Sequence, residues 1–309
     1  AWSLHPVLAA PDAADKRAAM ARFAAGTGRF DIPARTAVVF VQPGSTQALP
    51  PLVTTTLPAQ LTTREDLRLD IQLPPHYDAT RRYPVLYMDD GQDLDPVRVR
   101  ETLQALYDAN AIRPLILVAI TMPKDRMGAY GLSDRRAGHS VVGPTKYGDV
   151  GRNAHAYSTW VAQTLVPWVD AHYATQATPQ GRAVLGWSLG GLNAFDLAWQ
   201  YPDVFATLGA FSPSFWIADA QDQRLAETII ARDAPRKSLR AYLAAGTAEE
   251  TSDRDHDGII DVIDDANDVA ALLRKGGTHV DVVELKDGQH RQWAWAAMLP
   301  GFLRWAYGK

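Results

Sequence analysis

The sequence predicts an α/β protein with a mostly parallel central sheet, helices on both faces, and an N-terminal extension. Three observations predict it. From about residue 67 to 309, short apolar runs alternate with helix-length segments. Those runs are continuously apolar, as strands buried on both faces are. No internal repeat or low-complexity tract breaks the alternation.

Taken in order, residues 1 to 35 are alanine-rich, and "DAADKRAAMARFAAG" predicts a short helix closed by Gly26 and Gly28. "TAVVFVQPG" has β-branched content before Pro-Gly and predicts a strand and turn. "STQALPPLVTTTLPAQ" reads as a proline- and threonine-rich connector into the alternating strand "DLRLDIQLP". Then come "YPVLYM", the helix "VRVRETLQALYDAN", "PLILVAI", the helix "AHAYSTWVAQTLVPWVDAHY" and "AVLGWS". "GLNAFDLAWQYP", "ATLGAFSP", "LRAYLAAG", "DDANDVAALLRKGG" and "HVDVVEL" continue the pattern. The expected organisation is an extension and first strand over 1–60, then one α/β domain over 61–309.

With 309 residues and 47% apolar composition the chain can bury a large core. Its net charge of −4, with both signs interspersed, lacks the basic footprint of a nucleic-acid binder or a polybasic membrane patch. The absence of cysteine removes disulfides, thiolate metal sites and cysteine nucleophiles. No apolar run approaches the roughly 18 residues of a membrane span. The start "AWSLHPVLAAPDAADKR" does not read as a signal peptide, and the expectation, which the calcium-type loop at 253–264 favours, is a periplasmic or secreted protein whose signal was removed, with a cytoplasmic one as the alternative.

Chemistry enters at Gly186-Trp187-Ser188-Leu189-Gly190, a G-x-S-x-G match between a predicted strand and a predicted helix. A serine held in a sharp strained turn leaves no room for side chains two residues either side. The pentapeptide alone also fits a plain strand-to-helix turn. Its place after two strand–helix pairs favours a nucleophile.

Serine needs a base, and the base needs a carboxylate. His172, His256, His279 and His290 are the candidates for the base. His172 precedes the serine and ends a helix pattern, which suits a cap; His279 opens a strand. His290 lies in the polar loop "KDGQHRQWAW" after that strand, at the end of the sheet where open α/β folds place their sites. The acid is sought in "GTAEETSDRD", where Glu249, Glu250 and Asp253 are open and Glu249 is preferred.

With these residues in hand, the chain resembles the Putative esterase family of the α/β-hydrolase superfamily, the group of enterochelin esterases, feruloyl esterases, esterase D and mycolyltransferases. "RRYPVLYMDDGQ", "GWSLGGLNAFDLAWQYPDVFATLGAFSPSFW", "AAGTAEE" and "DGQHRQWAWAAMLPGFLRW" carry the resemblance, in the family's order. It implies an α/β-hydrolase fold and an acid at Glu249, within Gly246-Thr247-Ala248-Glu249. It also implies an oxyanion hole from the backbone N–H of Gln92, after Asp90-Gly91, and of Leu189. The chain departs from the family's G-G-H at the base, having Gly288-Gln289-His290.

A second motif, "DRDHDGIIDVID" (253–264), follows the acid. Asp253, Asp255 and Asp257 sit at positions 1, 3 and 5 of a calcium loop, with Gly258 at 6, the Ile259 carbonyl at 7, Asp261 at 9 and Asp264 at 12. Aspartate at position 12 resembles dockerin-type loops. Bound Ca2+ is expected to hold the acid loop and to take no part in chemistry. An exposed acidic hinge before a helix amino end is the plainer reading.

Tryptophans cluster near the proposed site. Trp187, Phe215, Trp216 and Trp293 are candidates to line a substrate pocket, while packing in the core is the favoured reading for each tryptophan. His155, Asp149 and Arg126 fall on a segment, 123–158, long enough to fold over the site.

The sequence thus reads as a serine carboxylic-ester hydrolase acting through an acyl-enzyme on a small-molecule or carbohydrate-linked ester. The rivals are an acyltransferase on the same scaffold and a calcium-stabilised, non-catalytic carbohydrate-binding protein. Neither a redox nor a nucleotide cofactor is expected.

Overall fold

The computed structural model describes residues 2–10, 13–41 and 47–309, and divides the chain into two compact units, Ala1–Ala48 and Leu49–Lys309. The larger unit carries one eight-stranded sheet. Its strands are β1 (Val53–Gln60), β2 (Arg64–Gln72), β3 (Val85–Met88), β4 (Ile116–Ile120), β5 (Arg182–Trp187), β6 (Thr207–Phe211), β7 (Arg240–Gly246) and β8 (His279–Leu285). Their spatial order is β1-β2-β4-β3-β5-β6-β7-β8. β2 pairs antiparallel with β1 and β4, and every other neighbouring pair is parallel.

The central strands bury alternate residues against two different cores, as a period of two requires. Val85 and Tyr87 of β3 face one cluster, with Ile116, Val118 and Ile120 of β4. Leu86 and Met88 face the other, with Leu117 and Ala119. The first cluster is covered by the helical run α2, which passes from Ala154–Trp160 through a π turn to Val166–His172, with α3 (Leu189–Gln200), α4 (Leu225–Arg232) and α5 (Asp261–Lys275). The second is covered by α1 (Val99–Asp108) and α6 (Gln292–Tyr307). A doubly covered, mostly parallel sheet is the expected α/β-hydrolase architecture.

Two local expectations fail, for identifiable reasons. The stretch read as a connector contains β1, whose Thr and Val residues favour a pleated strand and whose Pro58 is tolerated because β1 is the sheet edge. The sheet therefore begins before residue 61. The helix expected within 12–26 is reduced to a single 3₁₀ turn at Ala18–Met20, followed by a hairpin of Arg22–Ala24 with Arg29–Asp31. An alanine run this short, with no amphipathic face to bury, is marginal as a helix. In this smaller unit Phe23 packs on Phe30, and Phe30 on Phe40, which lies in a two-residue strand, Phe40–Val41. The expected Pro43-Gly44 turn lies outside the described residues.

Candidate active site

Ser188 lies between the end of β5 and the start of α3, with φ 57° and ψ −126°. Its strain is accommodated by glycines. A Cβ on Gly186 would lie 2.1 Å from the Gly190 carbonyl oxygen, and one on Gly190 would lie 2.6 Å from a carboxylate oxygen of Asp90. Larger residues at either position would push the turn apart.

His290 approaches from the loop after β8, half-exposed, with Nε2 3.0 Å from Ser188 Oγ and Nδ1 2.8 Å from Glu249 Oε2. A proton on Nδ1, donated to Glu249, leaves Nε2 free to accept the serine hydroxyl. Glu249 is buried at the end of β7, where its Oε1 accepts the Gly246 N–H at 2.6 Å and the Ser212 hydroxyl at 2.6 Å. Glu250 turns away and accepts the Val262 N–H at 2.9 Å, capping α5. Only Glu249 of the adjacent pair meets the imidazole.

The departure at Gln289 leaves the approach of the base intact, because the close contact is made one residue earlier. A Cβ on Gly246 would lie 2.3 Å from the Gly288 oxygen. The Gly288 carbonyl accepts the Ala248 N–H at 2.8 Å, so the base loop is tied to the acid strand.

A family model described as Putative esterase matches residues 61–306. The chain belongs to this family. Esterase function comes with that membership, and the fold agrees. "Esterase Rv1288" of Mycobacterium tuberculosis is 32% identical over 145 residues, 47% of this chain and 28% of that protein. The enterobactin esterase FES of Shigella flexneri superposes with a TM-score of 0.66 at 18% identity, covering 83% of this chain and 59% of that one. A CE1 ferulic acid esterase of the fungus Anaeromyces mucronatus gives 0.61 at 16% identity, covering 85% and 92%.

The family's strand-end motif is held by a network that sequence reading left without roles. Asp90 is buried with φ 57° and receives both Arg126 hydrogen bonds, at 2.8 and 2.7 Å. Its own N–H donates to the Tyr130 hydroxyl. Gln92 donates its side-chain amide to Asp90 Oδ1 at 2.9 Å and accepts the Met122 N–H at 3.0 Å. Both ends of that side chain are held, which fixes the peptide bearing the Gln92 N–H. Leu189 is the first residue of α3, where N–H groups have no intrahelical partner.

Two of the four candidate pocket aromatics belong to the core, the reading the sequence favours for the tryptophan. Trp187 is 1% exposed, stacks on Trp295 at 5.5 Å and donates Nε1–H to Asp93. Strand alternation turns it toward α1 and α6. Phe215 is 1% exposed and packs edge-on against Phe195. Trp216 and Trp293 are 42% and 49% exposed, and Trp293 lines a groove of about 520 Å³ between α1 and α6 with Arg98, Glu101 and Arg304.

Ser212 was invisible to motif reading. It is buried at the end of β6 with φ 45°, donates to Glu249 and accepts the Trp295 indole N–H at 3.0 Å. Trp295 in turn presents its ring to His290, edge-on at 5.4 Å.

Asp253, Asp255 and Asp257 place carboxylate oxygens within 4.8 Å of one another. Asp253 accepts the N–H groups of Asp257 and Gly258, Asp257 accepts that of Ile259, and Gly258 has φ 92°. One oxygen of Asp264 is buried without a partner, and burial, with the charges of Asp257 and Asp255, pushes its carboxyl above the usual range. Asp261 instead accepts the Arg254 backbone N–H at 2.9 Å. An all-oxygen donor set suits a hard cation, and three of the loop's five carboxylates, those of Asp253, Asp255 and Asp257, converge.

Beneath the elbow lie two fully buried carboxyls. Asp89 accepts from Tyr157 and Asn193, and Asp196 from Ser133 and Ser158. Burial pushes each up to about 7. Their folded values exceed the unfolded one, so their stabilisation is complete below about pH 4 and is lost as pH rises through 7, on the order of 2 kcal/mol each between pH 5 and 8. Asp196→Asn mimics the protonated form. The melting temperature of the variant minus that of the wild type is expected to become several degrees more positive from pH 5 to pH 8 by calorimetry; a constant difference would show that Asp196 stays ionised throughout.

Proposed function

We propose that this esterase is a serine hydrolase of carboxylic esters, working through an acyl-enzyme. The observation that carries the reading is the continuous hydrogen-bonded line from Ser188 Oγ through His290 to Glu249, with the serine in a strained elbow. Ser188 Oγ attacks the ester carbonyl as His290 Nε2 takes its proton. The N–H groups of Gln92 and Leu189 receive the charge on the carbonyl oxygen, and His290 returns the proton to the departing alcohol. Water, activated by the same imidazole, releases the acid.

The substrate in this reading is a small-molecule or carbohydrate-linked ester. Names of relatives and neighbours, a ferulic acid esterase and an enterobactin esterase, give the first two ester classes to assay. The exposed Trp293 supplies a face on which a sugar or aryl ring can stack. The test is mass-spectrometric mapping after fluorophosphonate treatment. Modification of Ser188, suppressed by prior incubation with a hydrolysed ester, is expected; a folded protein left unlabelled at Ser188 would sink the reading.

We further propose that residues 253–264 bind Ca2+ in a structural role, through the converging Asp253, Asp255 and Asp257 together with Asp264 and the Ile259 carbonyl, while Asp261 is engaged by the Arg254 N–H. The carboxylates repel one another without a cation. Glu250, next to the acid, caps the helix that closes this loop, so loop order passes to Glu249. Calcium added to chelator-treated protein at about a hundred times its Kd should raise the melting temperature by about 5 °C, and Asp257→Ala should abolish the rise. Equal melting with and without millimolar calcium would overturn this assignment while leaving the serine mechanism standing.

A further inference from the structure

A cavity of about 350 Å³ lies at the far end of α3 from Ser188. The helix runs from Leu189 to Gln200, about 18 Å of axis, so this cavity is remote from the site above. It is walled by Gln200 and Pro202, by Asp134, Arg135 and Arg136, and by Asp233 and Arg236.

The acceptors here are already used. Asp134 receives the N–H groups of Arg136 and Ala137, and its other oxygen pairs with Arg232 at 2.6 Å. Asp233 pairs with Arg232 at 2.9 Å and receives the Trp199 indole N–H at 3.0 Å. The last carbonyl of α3, that of Gln200, receives the Arg135 guanidinium at 3.2 Å, which offsets the negative end of the helix.

The unmet groups are all donors. Gln200 is 5% exposed; its Oε1 accepts the Arg135 N–H, which fixes the amide orientation, and its Nε2 has no partner. Arg136 is exposed and its guanidinium has no ion pair among the described residues. Arg236 spends two nitrogens on the Trp199 and Ala234 carbonyls, and its third stands 3.8 Å from Asp233. Burial depresses the Arg236 guanidinium, the Asp233 carboxylate opposing the shift and the like charge of Arg136 adding to it. A buried amide donor without an acceptor carries an unrecovered desolvation cost, which an anion oxygen would offset.

We infer that this cavity is a binding site for a phosphate group, free or as a small ester, held by Gln200 Nε2, Arg136 and Arg236. A tetrahedral anion offers an oxygen to each of three donors from different elements, which a planar carboxylate cannot do as well. Its occupation joins the foot of α3 to the hairpin of Leu132–Asp134 with His139–Val141 and to the turn after α4. That hairpin is already bound to α3 through Ser133 and Asp196. The bound anion therefore acts as a clamp on the elbow helix and on the segment that also carries Arg126. This inference is independent of the serine mechanism.

The test uses the full chain with sodium phosphate, glycerol phosphate or sodium acetate against sodium chloride at matched ionic strength. Inorganic phosphate should raise the melting temperature saturably, by about 5 °C at a hundred times its Kd. Acetate should bind at least about tenfold more weakly, and the ranking of the two phosphates tells the free ion from the ester. Arg136→Gln, at an exposed position, should weaken phosphate at least about tenfold. Gln200→Glu keeps the acceptor for Arg135 and replaces the donor with a negative charge, and should abolish binding. Phosphate no better than chloride, acetate equal to phosphate, or full binding retained by both variants would overturn the site.

Discussion

Ser188→Ala lowers kcat on a reactive ester by about 10⁴- to 10⁶-fold and leaves the melting temperature within a degree or two of wild type. In the proposed mechanism the loss is large because the hydroxyl is the atom that forms the acyl-enzyme, and Ser188 Oγ is the group that stands 3.0 Å from His290 Nε2. The stability is unchanged because the elbow is enforced by Gly186, Gly190 and Gly191 and by hydrogen bonds to the Ser188 backbone, including its N–H to Phe211 O at 3.0 Å. Since serine and histidine act as one unit, Ser188→Ala with His290→Ala is no slower than Ser188→Ala alone. Glu249→Gln costs about 10⁴-fold, because an amide no longer fixes the imidazole in the tautomer that accepts the serine proton. Initial rates and fluorophosphonate labelling of the four proteins decide the matter. Ser188→Ala retaining a tenth of wild-type kcat would remove serine from the mechanism.

The juxtaposition of Ser188, His290 and Glu249 was legible because the proposed elbow, base and acid each need a fixed residue type at a fixed place in the fold. A strand followed by G-x-S-x-G leaves one side chain that can stand on the turn. A polar loop after the last strand leaves one histidine at the correct end of the sheet. Between Glu249 and Glu250 the sequence offers chemistry that is identical and geometry that is hidden. The structure separates them by their partners, an imidazole for one and a helix N–H for the other.

What was illegible depended on contacts between distant segments. Trp187 was a pocket candidate because it neighbours Ser188, and only the structure decides between pocket and core: adjacent strand residues point to opposite faces, and Trp187 follows Leu185 into the α1/α6 core. Ser212 carries no motif; its role exists because β6 ends beside β7, so that a serine there meets Glu249. β1 was misread because its proline suggested a linker, and only the pairing partner shows that it is an edge strand.

Arg126→Gln lowers kcat by about 10²-fold with little change in KM and destabilises the protein by about 3 kcal/mol. The guanidinium is the counter-ion of Asp90, a carboxylate 1% exposed, while Arg126 keeps 25% of its side-chain surface. Breaking such a pair leaves a charge in the interior, and the low end of the range for buried pairs applies because water can reach the vacated side. Catalysis is lost through geometry. Asp90 sits at φ 57°, receives the Gln92 amide, and presses against the glycine that follows Leu189 in the elbow. In the proposed mechanism, a mobile Asp90 lets the Gln92 and Leu189 N–H groups drift from the oxyanion they are proposed to receive, and a misplaced donor costs about as much as a missing one. Arg126→Lys restores the charge without the two-pronged contact, and is expected to recover most of the stability and less of kcat. Steady-state kinetics with thermal melts distinguish positioning from contact: a raised KM at unchanged kcat would mean that Arg126 binds substrate and that Asp90 needs no partner to hold the oxyanion turn.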